Sequence, residues 1–309
     1  MMNRKRLTKI LLVGLILCFC FNIEKASGKK SIRIMTFNIW DPADVPFWKK
    51  HADGYPVDRV VKYLTEDKAD ILLLQEVSLE SQPEDQAYEQ IKEQLSKKGY
   101  KYSAFYRPDY SSGRGLVGYV PGMKNSGYPL AILSKYPIEE TFARQKANDV
   151  TMAKGVLGVK LNLDDKPLFI FTTHLSIGSK QTDGEIEQVL LPFVEDSGTD
   201  CRIIVGGDFN SPPAAEYPNK SVKIGNYTYS AQTTQYLLDA GFNDSWYVIS
   251  ASKDIGKGAS CPGQDDFIKR VDQVYFRGSI VPQNAFVKWN LWENIGLVDH
   301  VGVIVDFKL

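Results

Sequence analysis

The run Ile203-Ile204-Val205-Gly206-Gly207-Asp208-Phe209-Asn210 constrains this chain more than any other stretch. Three β-branched residues in a row make a strand buried on both faces, so its sheet cannot be open to water on either side. The two glycines let the backbone bend or approach a neighbour closely. In an extended chain, residues two apart point the same way, so Asp208 and Asn210 face one spot just beyond the strand end. A carboxylate and an amide aimed at one place suit a metal ion or a phosphate oxygen. An Asx-type turn that caps the strand end uses the same residue types and stays open at this point.

The rest of the chain repeats the pattern of an apolar strand ending on a polar residue. Ser31 to Asn38 reads as a strand closed by Asn38. Val57 to Glu66 follows as an amphipathic helix, with Val57, Val60, Val61 and Leu64 at helical spacing. Ile71 to Leu74 is a second buried strand running into Gln75 and Glu76, which makes a strand–helix–strand crossover. Pro83 to Lys98 reads as a helix, Tyr100 to Arg107 as a strand, and Leu130 to Leu133 and Ile138 to Arg144 as strands around a turn. Val156 to Leu163 and Leu168 to Thr173 form a hairpin whose second arm reaches His174. Thr182 to Val194 reads as a helix, and a short helix holds Leu237 and Leu238. Trp246 to Ile249, Val271 to Phe276, Ile280 to Val287 and Val301 to Phe307 read as strands. Long loops are expected over Asp41 to Pro56 and Pro108 to Gly127, and a loop of the latter length is more often functional than idle. No repeat or linker divides the chain, so one α+β or layered α/β domain is expected over 29–309.

Strands that run one way end at one edge of a sheet, and an antiparallel neighbour starts there. Asn38, Glu76, His174, Asp208, Asn210 and the pair Asp299-His300 before the last strand can therefore gather at one rim. Asp272 is an acid in an otherwise apolar strand and needs a partner. Of the three histidines, His174 and His300 stand at strand boundaries near carboxylates, whereas His51 lies in a loop. Hard oxygen ligands suit Mg²⁺, and a histidine held by a carboxylate can take a proton from water. The chain has no Gly-x-Ser-x-Gly elbow, so water is the simplest nucleophile.

Residues 1–28 are expected to be a secretory signal peptide, with a basic start at Arg4, Lys5, Arg6 and Lys9, an apolar run from Ile10 to Phe21, and small residues at Ala26-Ser27-Gly28. Secretion or a periplasmic location follows; an uncleaved anchor is the alternative. The chain has 37 basic and 37 acidic residues, and removing 1–28 takes five and one of them. The remaining 32 against 36 give a charge of −4, which does not by itself favour a polyanionic partner. Cys201 and Cys261 are the two cysteines outside the leader, so an oxidising compartment makes a disulfide between them an expectation, with two buried thiols the alternative. Closing that loop would stabilise by roughly 4 kcal/mol in the chain-entropy picture.

In sequence the chain resembles the endonuclease/exonuclease/phosphatase superfamily, the DNase I-like fold. The resemblance rests on Thr36-Phe37-Asn38-Ile39-Trp40, Leu74-Gln75-Glu76-Val77, Ala131 to Ile138, Thr173-His174-Leu175, Gly207 to Ser211, Arg270-Val271-Asp272 and Asp299-His300, in the family's order. It implies a four-layer α/β sandwich, two facing mixed β-sheets flanked by helices, and hydrolysis of phosphoric esters with Mg²⁺ or Mn²⁺. It also implies Glu76 as the main metal ligand with Asn38 and Asp299, His300 as general base oriented by Asp272, His174 and Asn210 on phosphate oxygens, and Asp208 on the water or leaving group. The chain departs from the family in having Tyr128-Pro129-Leu130 where Gly-Asn is frequent, at the border of the substrate groove. The expectation is a phosphodiesterase acting as a monomer, without an obligate protein partner. Its substrate would be a compact or lipid-linked phosphodiester such as a phospholipid head group, because no dense basic stripe lies outside the leader and aromatics (Tyr106, Tyr110, Tyr119, Tyr128, Trp289, Trp292) flank the expected rim. A nuclease on nucleic acid, a phosphomonoesterase and a non-catalytic binding module are the alternatives.

Overall fold

The computed structural model describes residues 31–39, 57–77, 86–108, 128–145, 154–196, 201–251, 258–261, 269–289 and 300–309. The leader, His51, the loop over 41–56, all but Pro108 of the loop over 108–127, Trp292 and Asp299 lie outside the described residues.

Twelve of the strands build two sheets. The first holds β1 (Ser31–Asn38), β2 (Ile71–Gln75), β3 (Tyr102–Tyr106), β4 (Leu130–Ser134), β13 (Val281–Lys288) and β14 (Gly302–Lys308), in the order β13-β14-β1-β2-β4-β3. The second holds β5 (Glu140–Gln145), β6 (Gly155–Leu163), β7 (Lys166–His174), β8 (Arg202–Asp208), β11 (Asn243–Asp244) and β12 (Asp272–Arg277), in the order β11-β12-β8-β7-β6-β5. A small separate hairpin joins β9 (Ser221–Ile224) to β10 (Tyr227–Ser230) through Gly225, whose φ of 58° suits a tight turn. The helices are α1 (Val57–Glu66), α2 (Gln86–Lys97), α3 (Ser179–Glu185), α4 (Leu191–Glu195), α5 (Gln232–Asp239) and α6 (Ser245–Ser250).

Side-chain alternation explains the unbroken apolar strands. In β2, Ile71 and Leu73 face the space between the sheets, while Leu72 and Leu74 face α1 and α2. In β8, Ile204 faces the same inner space, while Ile203 and Val205 pack toward α4 and α5. Each fully buried leucine or isoleucine of this kind contributes about 1.5–3 kcal/mol. The result is the expected helix–sheet–sheet–helix sandwich of mixed sheets.

Two pairings aim the fold at one rim. β1 lies parallel to β2, and β7 lies parallel to β8. All four strands therefore deliver their C-terminal residues to the same end, and β14 and β12, antiparallel to β1 and β8, start there. In the register, His174 stands opposite Asp208, and Asp208 opposite Asp272. Gly207 is required for this closeness, since a Cβ there would run into the Thr173 carbonyl of β7.

Three expectations need correction. Trp246 to Ile249 is not a strand but the body of α6, where the Asp244 carboxylate caps the helix by accepting from the backbone N–H groups of Trp246 (2.9 Å) and Tyr247 (3.2 Å). Trp246 and Ile249, three apart, drop into the inter-sheet core. The helix expected over 182–194 is three pieces, because a π-helical turn at Ile186–Leu190 separates α3 from α4. No disulfide joins Cys201 and Cys261. Cys201 precedes the first residue of β8, whereas Cys261 neighbours Ser260, whose hydroxyl accepts from the Asp272 N–H at β8's far end. The length of β8 separates them by about 20 Å, far beyond the reach of about 7 Å between bridged Cα atoms.

Candidate active site

The rim collects seven of the eight expected site residues; Asp299 lies outside the described residues. Glu76 leaves β2 with φ 56° and Asn210 follows β8 with φ 47°, two side chains held at a sparsely populated backbone angle beside the site. Behind Glu76, the buried Gln75 amide ties the two sheets together, donating to Thr172 Oγ1 (2.8 Å) in β7 and to Thr36 Oγ1 (3.1 Å) in β1.

From the first sheet, the Asn38 amide donates to Glu76 Oε1 (3.0 Å) and to Asp208 Oδ2 (3.1 Å) across the gap. From the second, His174 Nε2 lies 3.4 Å from Asp208 Oδ2 and 3.6 Å from Glu76 Oε1. His300, just before β14, sets Nδ1 at 2.7 Å from Asp272 Oδ2 and Nε2 at 3.8 Å from Asp208 Oδ2. Asp208 receives the Asn210 backbone N–H on its other oxygen (2.9 Å). The Asn210 side chain donates to the Leu175 carbonyl (2.8 Å), which pins the segment after His174. Among the described residues, Asp272 Oδ1 and His174 Nδ1 are buried with no hydrogen-bond partner.

The two imidazoles are tuned in opposite directions. Burial, the Lys154 ammonium and His300 push His174 well below the usual histidine value, so it is neutral at physiological pH. Burial alone would lower His300 too, but the carboxylates of Asp272 and Asp208 outweigh it and hold it well above that value. Burial raises Asp208 above the ordinary aspartate, with Asp272 adding to the rise and His300 opposing it.

Two residues outside the expected set also stand here. Lys154, just before β6, places Nζ 2.7 Å from His174 Nε2 and 3.7 Å from the centroid of the Tyr128 ring. Tyr128, just before β4, meets the His174 ring edge-on at 5.3 Å. The signal was the one that pointed to His300: both residues precede a strand antiparallel to one that ends at the rim.

For a divalent ion, the donor chemistry decides between two groups. Asp208, Asp272 and His300 bring one ligand atom each within 4.8 Å of one another. His300 and Asp272 already spend their facing atoms on each other, and a protonated imidazole is not a ligand. Glu76 and Asn38 offer a carboxylate and an amide oxygen, the hard donors Mg²⁺ takes, at a position where Glu76 is 9% exposed. These residues fit such an ion.

Residues 35–293 match the model of the Endonuclease/Exonuclease/phosphatase family. No curated protein matches the chain. Among solved structures, an endonuclease/exonuclease/phosphatase from Beutenbergia cavernae is similar with a TM-score of 0.69 at 18% identity, over 91% of this chain and 72% of that one. The human Nocturnin catalytic domain with a bound sulfate anion is similar at 0.64 and 18% identity, over 90% and 93%. Danio rerio TDP2 complexed with a single-strand DNA product is similar at 0.60 and 16% identity, over 91% and 100%. Identities this low show a shared fold.

Proposed function

The chain belongs to the endonuclease/exonuclease/phosphatase family, hydrolases of phosphoester bonds, and from that premise we propose that it is a divalent-metal-dependent phosphodiesterase. The supporting observation is the convergence, at one rim, of a carboxylate-held histidine (Asp272–His300) with Glu76, Asn38, Asp208 and His174 from both sheets. Glu76 and Asn38, with Asp299, would hold Mg²⁺ or Mn²⁺. Such an ion, when bound, neutralises charge on a phosphoryl oxygen.

The chain's own residues supply the proton chemistry. In its neutral form His300 donates its Nδ1 N–H to Asp272 Oδ2 and turns the Nε2 lone pair to the site, where it takes a proton from water. Asp272 and Asp208 then stabilise the imidazolium that results. Asp208, 3.8 Å from His300 Nε2, orients the water or the leaving oxygen. His174 and Asn210 line the phosphoryl side.

The substrate in this reading is a compact or lipid-linked phosphodiester, met outside the cytoplasm by a monomeric enzyme exported through residues 1–28. The absence of a dense basic stripe beyond the leader and the aromatic rim at Tyr128 and Trp289 support it. The second reading, a nuclease, is favoured by the likeness to TDP2 with its single-strand DNA product. The deciding experiment incubates protein and Mg²⁺ with plasmid DNA, and separately with sphingomyelin or phosphatidylcholine vesicles, across a salt series. Vesicle hydrolysis with intact plasmid is expected. Plasmid cleavage that weakens steeply with salt, with vesicles untouched, reverses the assignment.

A further inference from the structure

Resting on the hydrolase reading above, we propose that the ammonium of Lys154, steered by His174, is the group that hydrogen-bonds a non-bridging phosphoryl oxygen of the substrate. An ammonium can only donate, so at 2.7 Å His174 Nε2 is the acceptor and the imidazole carries its proton on Nδ1. Nδ1 is buried, apart from the cluster that surrounds Nε2. His174 therefore has no N–H to offer at the centre of the rim, and Lys154 supplies the donor there. The ammonium is a compact charge with three N–H donors and can serve an imidazole and a phosphoryl oxygen together.

Its setting is built. Lys154 is 5% exposed. It sits where β6, antiparallel to β7, begins beside His174. The Tyr128 ring backs the ammonium at 3.7 Å, a cation–π contact that holds the charge without taking its hydrogens in the plane of the site. Lys288, which is equally buried, shows the structural alternative: its ammonium is spent on Asp67 (2.5 Å), Glu66 (3.0 Å) and the Tyr63 carbonyl (2.8 Å), all in α1 or the turn after it. Lys154 Nζ stands beside His174, whose Nε2 lies 3.4 Å from Asp208 Oδ2 and 3.6 Å from Glu76 Oε1. Charge that develops on a non-bridging oxygen during water attack meets a preformed donor among buried groups.

The test compares wild type, Lys154→Met, Lys154→Arg, His174→Ala and the double variant Lys154→Met/His174→Ala on bis(4-nitrophenyl) phosphate across a Mg²⁺ titration. Removing one such donor is expected to lower kcat by about 10²–10³-fold, with Arg retaining part of the rate. Saturating Mg²⁺ should not restore it, and the double variant should be scarcely worse than Lys154→Met, since one residue acts through the other. Lys154→Met at wild-type kcat, rescue of that variant by Mg²⁺, or losses that multiply in the double variant each overturn the proposal. Should the Met variant melt below assay temperature, ¹⁵N-lysine NMR of the wild type decides. The Lys154 Nζ resonance must move on saturation with inorganic phosphate in Mg²⁺, and a stationary resonance overturns the assignment. A wild type inactive on every phosphate ester would refute the hydrolase reading instead.

Discussion

Strand β12 and the residues just before it carry two buried charge clusters of opposite design. Arg270, two residues before the strand's Asp272, donates to Asp244 at 2.5 and 3.2 Å and reaches Glu216 at 3.0 Å. Burial alone would lower the Arg270 guanidinium, but Asp244 and Glu216 outweigh it and hold it above its ordinary value. Asp244 also caps α6, so this cluster welds the 211–217 segment, β12 and a helix end into one unit. In the Asp272–His300 cluster the tight contacts join His300 to Asp272 and Lys154 to His174, both at 2.7 Å. The imidazole–carboxylate pairs His174–Asp208, His174–Glu76 and His300–Asp208 stand at 3.4–3.8 Å, with three carboxylates (Glu76, Asp208, Asp272) around two imidazoles. The first arrangement satisfies its charges on itself. The second keeps its groups at distances that a third party (an ion, a water or a phosphoryl group) could close.

That contrast can be broken in order of expected effect. Excess chelator should abolish turnover, and Glu76→Gln should raise the Mg²⁺ concentration needed for half activity, because the hard cation loses a charged ligand; full turnover in chelator would sink the metal role. His300→Ala should lower kcat by roughly 10²–10⁴-fold, the usual size of a general-base contribution, in protein that is still folded at the assay temperature. On the other cluster the effects should trade places. Arg270→Met leaves the buried Asp244 carboxylate unpaired beside the half-buried Glu216 and should cost about 3–5 kcal/mol of stability, read by urea unfolding, with the kcat of the remaining folded protein close to wild type. Equal losses of rate and stability in both variants would erase the distinction.

How much of this was legible in the sequence follows from which physical signal each residue carries. Unbroken apolar runs in Ile71 to Leu74 and Ile203 to Val205 marked the central strands, because both faces of those strands are buried. Polar residues at strand ends gave the rim, because β1/β2 and β7/β8 are parallel pairs. The same logic, applied to strands that start at the rim, found His300 but passed over Lys154, which reads as an ordinary solvated lysine until β6 is known to run antiparallel to β7. Trp246 to Ile249 misled because a six-residue helix is too short to show a period, and its cap, Asp244, carries no mark of which backbone it will meet. The cysteine pairing misled because sequence gives a count and no distance. The left-handed backbone at Glu76 has no sequence signature, since glutamate is not a residue that favours it.

The smallest predicted effect sharpens the comparison most, because it isolates the tight imidazole–carboxylate contact of the functional cluster, His300 to Asp272. In the folded protein His300 sits well above its ordinary value because Asp272, from β12, and Asp208, from β8, outweigh the cost of burial. A histidine raised on folding contributes stability that is fully present below its unfolded value, near 6.5, and lost as pH climbs through the folded one. Asp272→Asn removes the larger of the two attractions. In chelator, the difference in unfolding free energy between wild type and Asp272→Asn should therefore be widest below the unfolded histidine value and close as the pH rises through the raised, folded one. Activity should respond in the same direction: with one carboxylate gone, His300 deprotonates more easily, so the rising limb of kcat/KM moves to lower pH even as kcat falls, because an amide neither sets the Nδ1 tautomer nor steadies the imidazolium as well. A stability gap that stays constant with pH, joined to an unmoved limb, would mean that the 2.7 Å contact between His300 and Asp272 carries no charge and belongs with packing.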